Sequence, residues 1–255
     1  MKIIECVPNF SEGRDLDLIK EITDTMESVS GITLLDVDPG SDTNRTVVTI
    51  VGDPESVIES AFLGIKRGSA LIDMQKHSGA HARMGATDVC PFVPISGTTM
   101  DDCVKYSKQL AKRVGEQLKI PVFLYEFSAA NNDRINLASI RSGEFEGMTE
   151  KLQLPEWKPD YGPGKPHVSA GVTAIGARNF LIAYNINLNT KDKKIATDIS
   201  LDIREQGRNK RDEHGKFVRD KNGIPIKSPG ILKSCKAVGW YIDEYGLAQV
   251  SMNLT

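Results

Sequence analysis

Between Gly31 and Ile65 the apolar pattern changes from strand-like to helix-like, and this change limits the folds open to the chain. "GITLLDVDPG" and "RTVVTIVG" are extended segments joined by a turn rich in Asp, Asn and Gly, and the second is dense in β-branched residues. Asp53-Pro54 then opens a helix on which Val57, Ile58, Ala61, Phe62 and Ile65 share one face, with proline where a first turn tolerates it. Strand, turn, strand and helix in so short a stretch call for a sheet with helices laid on it. Neighbouring segments continue the alternation. "IIECVPNF" predicts a strand ending at Pro8, and Asp15 caps a helix that runs to Ser28 through Leu18, Ile19, Ile22 and Met26. "DVCPFVPI" is extended, because its two prolines exclude a helix interior. A helix is expected from Met100 to Lys119, and a buried strand over "IPVFLYEF". The order βαββαβ, with interruptions, predicts an α/β (α+β) fold of the ferredoxin-like kind, with helices on one face of the sheet.

From Ile140 to Ala170 the texture changes. "LPEWKPDYGPGKPHVSAG" is rich in proline and glycine and reads either as a linker or as a functional loop. A strand over "NFLIAYNINL", a helix over "TKDKKIATDISLDIREQ" and a hairpin over "KAVGWYIDEYGLAQVSMNL" follow, the hairpin turning at Asp243 to Gly246. A polar stretch rich in lysine and arginine, residues 207–229, lies before the hairpin. No internal repeat is evident. The second half thus reads β, α, β, β, the order of the first half cut short.

Hydrophobic residues make up 40% of the chain and charged residues 26%, a mix that supports a packed core. The formal net charge of -2 gives no global positive field for nucleic acid. Acidic Glu5 stands where a signal-peptide core would be, and no apolar run approaches the roughly 20 residues of a membrane helix. Cys6, Cys90, Cys103 and Cys235 form no CxxC pair, so reduced thiols and a cytoplasmic location are expected.

The densest chemistry lies in "KHSGAHARMGATDVCPFVP", residues 76–94. His77 and His81 have the spacing of ligands on one helix face, but Gly79 lies between them and no further ligand is evident beyond Asp88 or Cys90, so no metal is expected. Cys90 stands among apolar residues and reads as an inert thiol. Two readings stay open for the histidines. They form an acid–base site, with small neighbours and with Lys76 and Arg83 to hold an imidazole neutral, or they belong to a solvated loop capping a helix end. "LLDVDPGSDTNRTV" adds Asp36, Asp38 and Arg45 at a strand end, which is either a turn built for backbone reasons or a carboxylate and a guanidinium available to a site.

"ECVPNFSEGR", "LLDVDPGSDTNRTV" and "HARMGATDVCPFVP" together resemble the formiminotransferase domain family, as do "IRSGEFEG", "DYGP", "GARNFLIAYNINL", "IREQGR" and "VGWYIDEYGLAQVSMNL". The resemblance implies transfer of a formimino group from N-formimino-L-glutamate to N5 of tetrahydrofolate, in histidine breakdown, with tetrahydrofolate as co-substrate and no metal. It implies two ferredoxin-like subdomains, residues 1–178 and 179–255, and a homodimer. It places the catalytic histidine at His81, with Asp38 and Arg45 lining the formimino site. It places folate binding on Gly162, Pro163, Gly164, Lys165, Pro166, His167, Val168, Ser169, Ala170 and Gly171, so the linker reading gives way to a ligand loop. Lys165 and Arg178 are suited to carboxylates. Other functions compatible with the resemblance are a folate-binding or regulatory protein without turnover, and an enzyme that moves formyl groups.

The chain departs from the family in places. Ala80 and Ala82 flank His81 where mammalian members carry a larger acid and a proline, and the basic stretch is longer than usual. Relatives continue past the position of Thr255 with a helix and strand, so the second subdomain is expected to be incomplete. Trp240, Ile242, Leu247 and Val250 are then expected to lack part of their cover. A separate C-terminal piece or a cyclodeaminase partner would accompany the chain.

Overall fold

The computed structural model describes residues 2–255, which fall into two compact units, the first ending at Asn179 and the second running Phe180–Thr255. In the first unit, β1 (Ile3–Cys6) and β2 (Asn9–Phe10) act as one strand broken at Pro8, and both pair with β4 (Arg45–Gly52) and β5 (Thr87–Ser96). The strand therefore resumes beyond the proline at which the sequence pattern ended it, because Pro8 still accepts from Val48 N–H. α1 (Leu16–Glu27) begins at the Asp15 cap, whose carboxylate accepts from Leu18 N–H, and buries Ile19, Ile22 and Met26. β3 (Ile32–Gly40) turns into β4 with Asn44 left-handed at φ 48, a conformation asparagine tolerates. α2 (Pro54–Leu71) is capped by Asp53, and α3 (Met100–Arg113) by a Thr99–Asp102 capping box. β6 (Val122–Glu126) and β7 (Thr173–Ala177) complete a seven-stranded sheet, in which β7 runs parallel to both β5 and β6. The run from β1 to β5 has the ferredoxin-like βαββαβ order, with the first strand between the third and the last.

Strand alternation divides the side chains between two faces. Phe10, Phe92, Val122, Leu124 and Ile175 join Ile22, Ile65 and Leu110 in the main core beneath α1, α2 and α3. Val89, Phe123, Tyr125 and Ala174 point the other way. They are covered by Ile140 of α4 (Leu137–Arg141) and by Met148 and Leu152 in and just after α5 (Glu144–Lys151). The stretch that reads as a linker in sequence thus begins with helices that roof part of the second face. The β3–β4–β1/β2 part of that face displays polar side chains instead. Asp38 pairs across the strands with Val47, two residues from Arg45, so Asp38 and Arg45 share it.

In the second unit, β8 (Ile182–Asn187), α6 (Lys193–Ile203), β11 (Cys235–Ile242) and β12 (Leu247–Leu254) form a three-stranded antiparallel sheet, in the order β11-β12-β8, under one helix. A side chain at Gly239 would collide with the backbone of Ala196 at 2.2 Å, so glycine there permits the close approach of α6. Val250 and Ile242 are buried, contrary to the expectation that they lack cover. Trp240 and Leu247 are half-buried, and the exposed apolar residues of this unit include Ile182, Tyr184 and Ile186 of β8. These three stand in register with Leu254, Met252 and Val250 and so on the helix side, but α6 lies over β11 and β12.

The basic stretch also differs from its sequence reading. β9 (Arg208–Asn209) and β10 (Lys227–Ser228) pair at its base, and it contains a repeat: "RDEHG" and "RDKNG" form two turns of one design. Asp212 accepts from the N–H groups of His214 and Lys216, and Asp220 from those of Asn222 and Ile224. Gly215 and Gly223 are both left-handed. No described helix is long and apolar enough to cross a membrane.

Candidate active site

The two polar stretches of the first unit meet. Ala80 N–H donates to Asp42 C=O at 2.9 Å, Asn44 Nδ2 donates to Ser78 C=O at 2.9 Å, and Gly79 lies so close to Thr43 that a side chain there would strike its carbonyl. His77 is part of this seam. Its Nε2–H donates to Asn44 C=O at 2.8 Å and its Nδ1 accepts from Arg83 Nε at 3.3 Å, an arrangement one neutral tautomer satisfies. Burial, with the Arg83 charge assisting, holds the His77 pKa below its usual value. Arg83 in turn binds Glu144 and Glu146 at the start of α5, at 2.7 and 2.6 Å. The loop is therefore fastened on both sides, and His77 is one of its fasteners.

His81 is held differently. Its Nδ1–H donates to Ala82 C=O at 2.6 Å, which puts the lone pair on Nε2. Burial first, then the charges of Arg45 and Arg141, pull its pKa down to about 3, against the opposing pull of Asp88. The imidazole is neutral throughout the physiological range, the state an acceptor of protons needs.

Asp88 organises these charges. At β2–β5 the register shifts so that Asn9 faces Val89 while Phe10 faces Thr87, which leaves Asp88 as the extra residue of a β-bulge. Its Oδ2 accepts from Arg45 Nη1 and from Arg141 Nη2, both at 2.6 Å, and its Oδ1 accepts from Met84 N–H at 3.0 Å. Burial alone would raise its pKa. The charges of Arg141 and Arg45, with the Arg45 hydrogen bond, outweigh that and keep the carboxyl well below the usual carboxylate range. Arg45 also donates from Nε to Asn9 Oδ1 at 3.1 Å. One fully buried carboxylate thus joins the end of α4, the head of β4 and the His81 loop.

The segment 162–171 lies against that loop. Gly85 and Gly171 form an antiparallel bridge, and Val172 N–H donates to Met84 C=O. A side chain at Gly171, φ 66, would meet Met84 O at 2.3 Å. His167 and Gly171 exchange backbone hydrogen bonds, and Ala170 N–H donates to His167 Nδ1. Ala170 and Gly171 are buried, whereas Gly162, Gly164, Lys165 and Val168 are exposed. Asp38 is exposed and makes no side-chain hydrogen bond or ion pair among the described residues. The carboxylate that acts on the His81 imidazole is Asp88, which the sequence shows only as a weak candidate metal ligand. Arg141 lies inside the recognisable motif "IRSGEFEG" but carries no signal of its electrostatic influence on His81, because the two are 60 residues apart in the chain.

Because the unfolded imidazole takes a proton near pH 6.5 and the folded one only near 3, the unfolded state binds more protons between those values. Stability conferred by neutral His81 is complete above about pH 6.5 and is lost as pH falls toward 3. Urea midpoints at pH 7, 5 and 4 should therefore fall more steeply for the wild type than for His81→Gln. Parallel curves would show that His81 is not held neutral.

Fold and site together define an α/β protein whose ferredoxin-like sheet presents a neutral histidine among arginines. The sequence pattern described as "Formiminotransferase domain, N-terminal subdomain" matches residues 3–178, and that described as "Formiminotransferase domain" matches residues 183–255. The chain is 50% identical to a formimidoyltransferase-cyclodeaminase of Dictyostelium discoideum, over 99% of this chain and 44% of that protein. It is 47% identical to a glutamate formimidoyltransferase of Streptococcus pyogenes serotype M1, over 99% of this chain and 77% of that one. It is 42% identical to the glutamate formimidoyltransferase of Thermoplasma acidophilum, over 100% of this chain and 77% of that one. The chain belongs to the formiminotransferase domain family. It spans less than half the length of the bifunctional relatives.

Proposed function

We propose that this chain transfers the formimino group of N-formimino-L-glutamate to N5 of tetrahydrofolate, giving 5-formiminotetrahydrofolate and L-glutamate. The observation that carries the reading is a neutral His81, its lone pair on Nε2, in a cation-rich site of a chain that belongs to this family. N5 attacks the amidine carbon and forms the new C–N bond. Its proton passes to His81 Nε2, and His81 returns it to the glutamate nitrogen as the old C–N bond breaks, so one group serves both halves of the transfer. Exposed Asp38, on the same sheet face as Arg45, offsets the positive charge of the formimino group. Arg45 contributes a fixed positive charge toward the carboxylates of the donor.

Tetrahydrofolate lies along 162–171, with Lys165 and Arg178 toward its carboxylate tail. The exposed glycines of this segment allow close backbone approach, while its buried end is fixed to the His81 loop. Residues 1–178 and 179–255 are read as the two subdomains, and a cytoplasmic homodimer completes the proposal. The deciding assay mixes purified protein, tetrahydrofolate and either N-formimino- or N-formyl-L-glutamate, and follows donor loss and N5-substituted folate. Turnover with the formyl donor alone, or binding without turnover, would replace this reading. Tetrahydrofolate is also expected to protect 162–168 from proteolysis, and unchanged cleavage at saturating ligand would remove the loop from the folate site.

A further inference from the structure

Asp88 Oδ2 serves two guanidinium groups at once, so the buried cluster beside His81 holds two cations and one carboxylate. Counted with Arg83 and its partners Glu144 and Glu146, three guanidinium groups face three carboxylates, so an anion would be held only where a guanidinium keeps unused hydrogen-bonding capacity. The three nearby arginines differ in what they can offer it. Arg83 is engaged by Glu144 and Glu146, and Arg45 by Asn9 and Asp88. Arg141 donates to Asp88 through Nη2, while its Nε is buried without a hydrogen-bond partner. Arg141 also stands in the wall of a cavity of about 230 Å³, together with Ala82, Ala138, Ser142, Gly143 and Glu144. Ala82 directly follows His81, and the carboxylate of Glu144 is paired with Arg83. The cavity therefore opens at the His81 loop and offers a guanidinium whose hydrogen-bonding capacity is incompletely used.

We propose that Arg141 is a specificity-determining residue that holds the α-carboxylate of the amino-acid donor in this cavity, with Asp88 fixing its orientation. The assignment rests on the reading of His81 as the proton acceptor for a formimino transfer. In the donor, one carbon separates the α-carboxylate from the nitrogen that leaves, so a carboxylate held next to His81 is the α rather than the distal one. A guanidinium matches the planar carboxylate as an ammonium does not, and Asp88 orients it from the far side.

The test compares N-formimino-L-glutamate with N-formimino-γ-aminobutyrate, which keeps the distal carboxylate and lacks the α one, on wild type, Arg141→Lys and Arg141→Met. Wild type is expected to prefer the glutamate donor by roughly 100-fold in kcat/KM. Arg141→Met should lose most of that preference while the KM for tetrahydrofolate stays unchanged, and Arg141→Lys, which keeps the charge beside Asp88, should retain part of it. A preference that survives in Arg141→Met overturns the proposal, and so does an equal fall for both donors accompanied by a higher KM for tetrahydrofolate. If wild type turns over neither donor, the formimino reading fails, and calorimetry still decides the α-carboxylate site. L-glutamate binding that is lost in Arg141→Met would support the site, whereas binding that is unchanged, or absent from wild type, would overturn it.

Discussion

His81→Ala is expected to lower kcat by roughly 10²- to 10⁴-fold, the usual contribution of a general acid–base group, while tetrahydrofolate still binds. His77→Ala provides the contrast. Both ring nitrogens of His77 are engaged, by Asn44 C=O and by Arg83, so its loss should loosen the loop and reduce stability with a smaller effect on kcat. A crippled His77→Ala beside a mild His81→Ala would reverse the roles. The pH dependence tests the same assignment from another side. A pKa of about 3 keeps His81 neutral but lies well below the operating pH, near which a general base works best. Two of the causes that depress it are the charges of Arg45 and Arg141, and a bound donor with two carboxylates would offset them. The acid limb governed by His81 should thus lie at higher pH in kcat, which reports the complex, than in kcat/KM. Coincident limbs would show that the donor leaves those charges untouched.

The parts of this structure legible in the sequence are those governed by local periodicity. α1 lies where Asp15 and the Ile19–Ile22–Met26 spacing place it, and the hairpin of β11 and β12 turns at Asp243 to Gly246, because capping and alternation act within a few residues. α4 and α5 leave little trace in the sequence because they are short and contribute few residues, chiefly Ile140 and Met148, to a core whose other half comes from distant strands. The repeat in 207–229 is obscured by its varying residues. What recurs is Arg-Asp followed by glycine, a turn signal rather than an apolar one. In the candidate site, motif resemblance leads to His81. Nothing local identifies Asp88 as the centre of the charge cluster, since its orientation comes from a register shift between β2 and β5, a property of the assembled sheet.

The largest stability effect is expected at that bulge. Asp88 is fully buried, and three donors from three parts of the chain converge on it: Arg45 at the head of β4, Arg141 at the end of α4, and Met84 N–H in the His81 loop. Asp88→Ala leaves two guanidinium groups without their shared carboxylate. Removing one partner of a buried ion pair costs about 3–5 kcal/mol, a large share of the roughly 5–15 kcal/mol that holds a typical domain folded. Urea unfolding should register a loss of that order. Much of the penalty would come from the stranded cations, so it should shrink when one of them is removed as well. Arg141→Met in the Asp88→Ala background is therefore expected to recover part of the stability, although Arg141→Met alone destabilises the wild type, a sign reversal that only coupled residues produce. Additive losses in the double variant, or a loss below about 1 kcal/mol for Asp88→Ala, would show that this site is held by packing and that its charges are incidental to the fold.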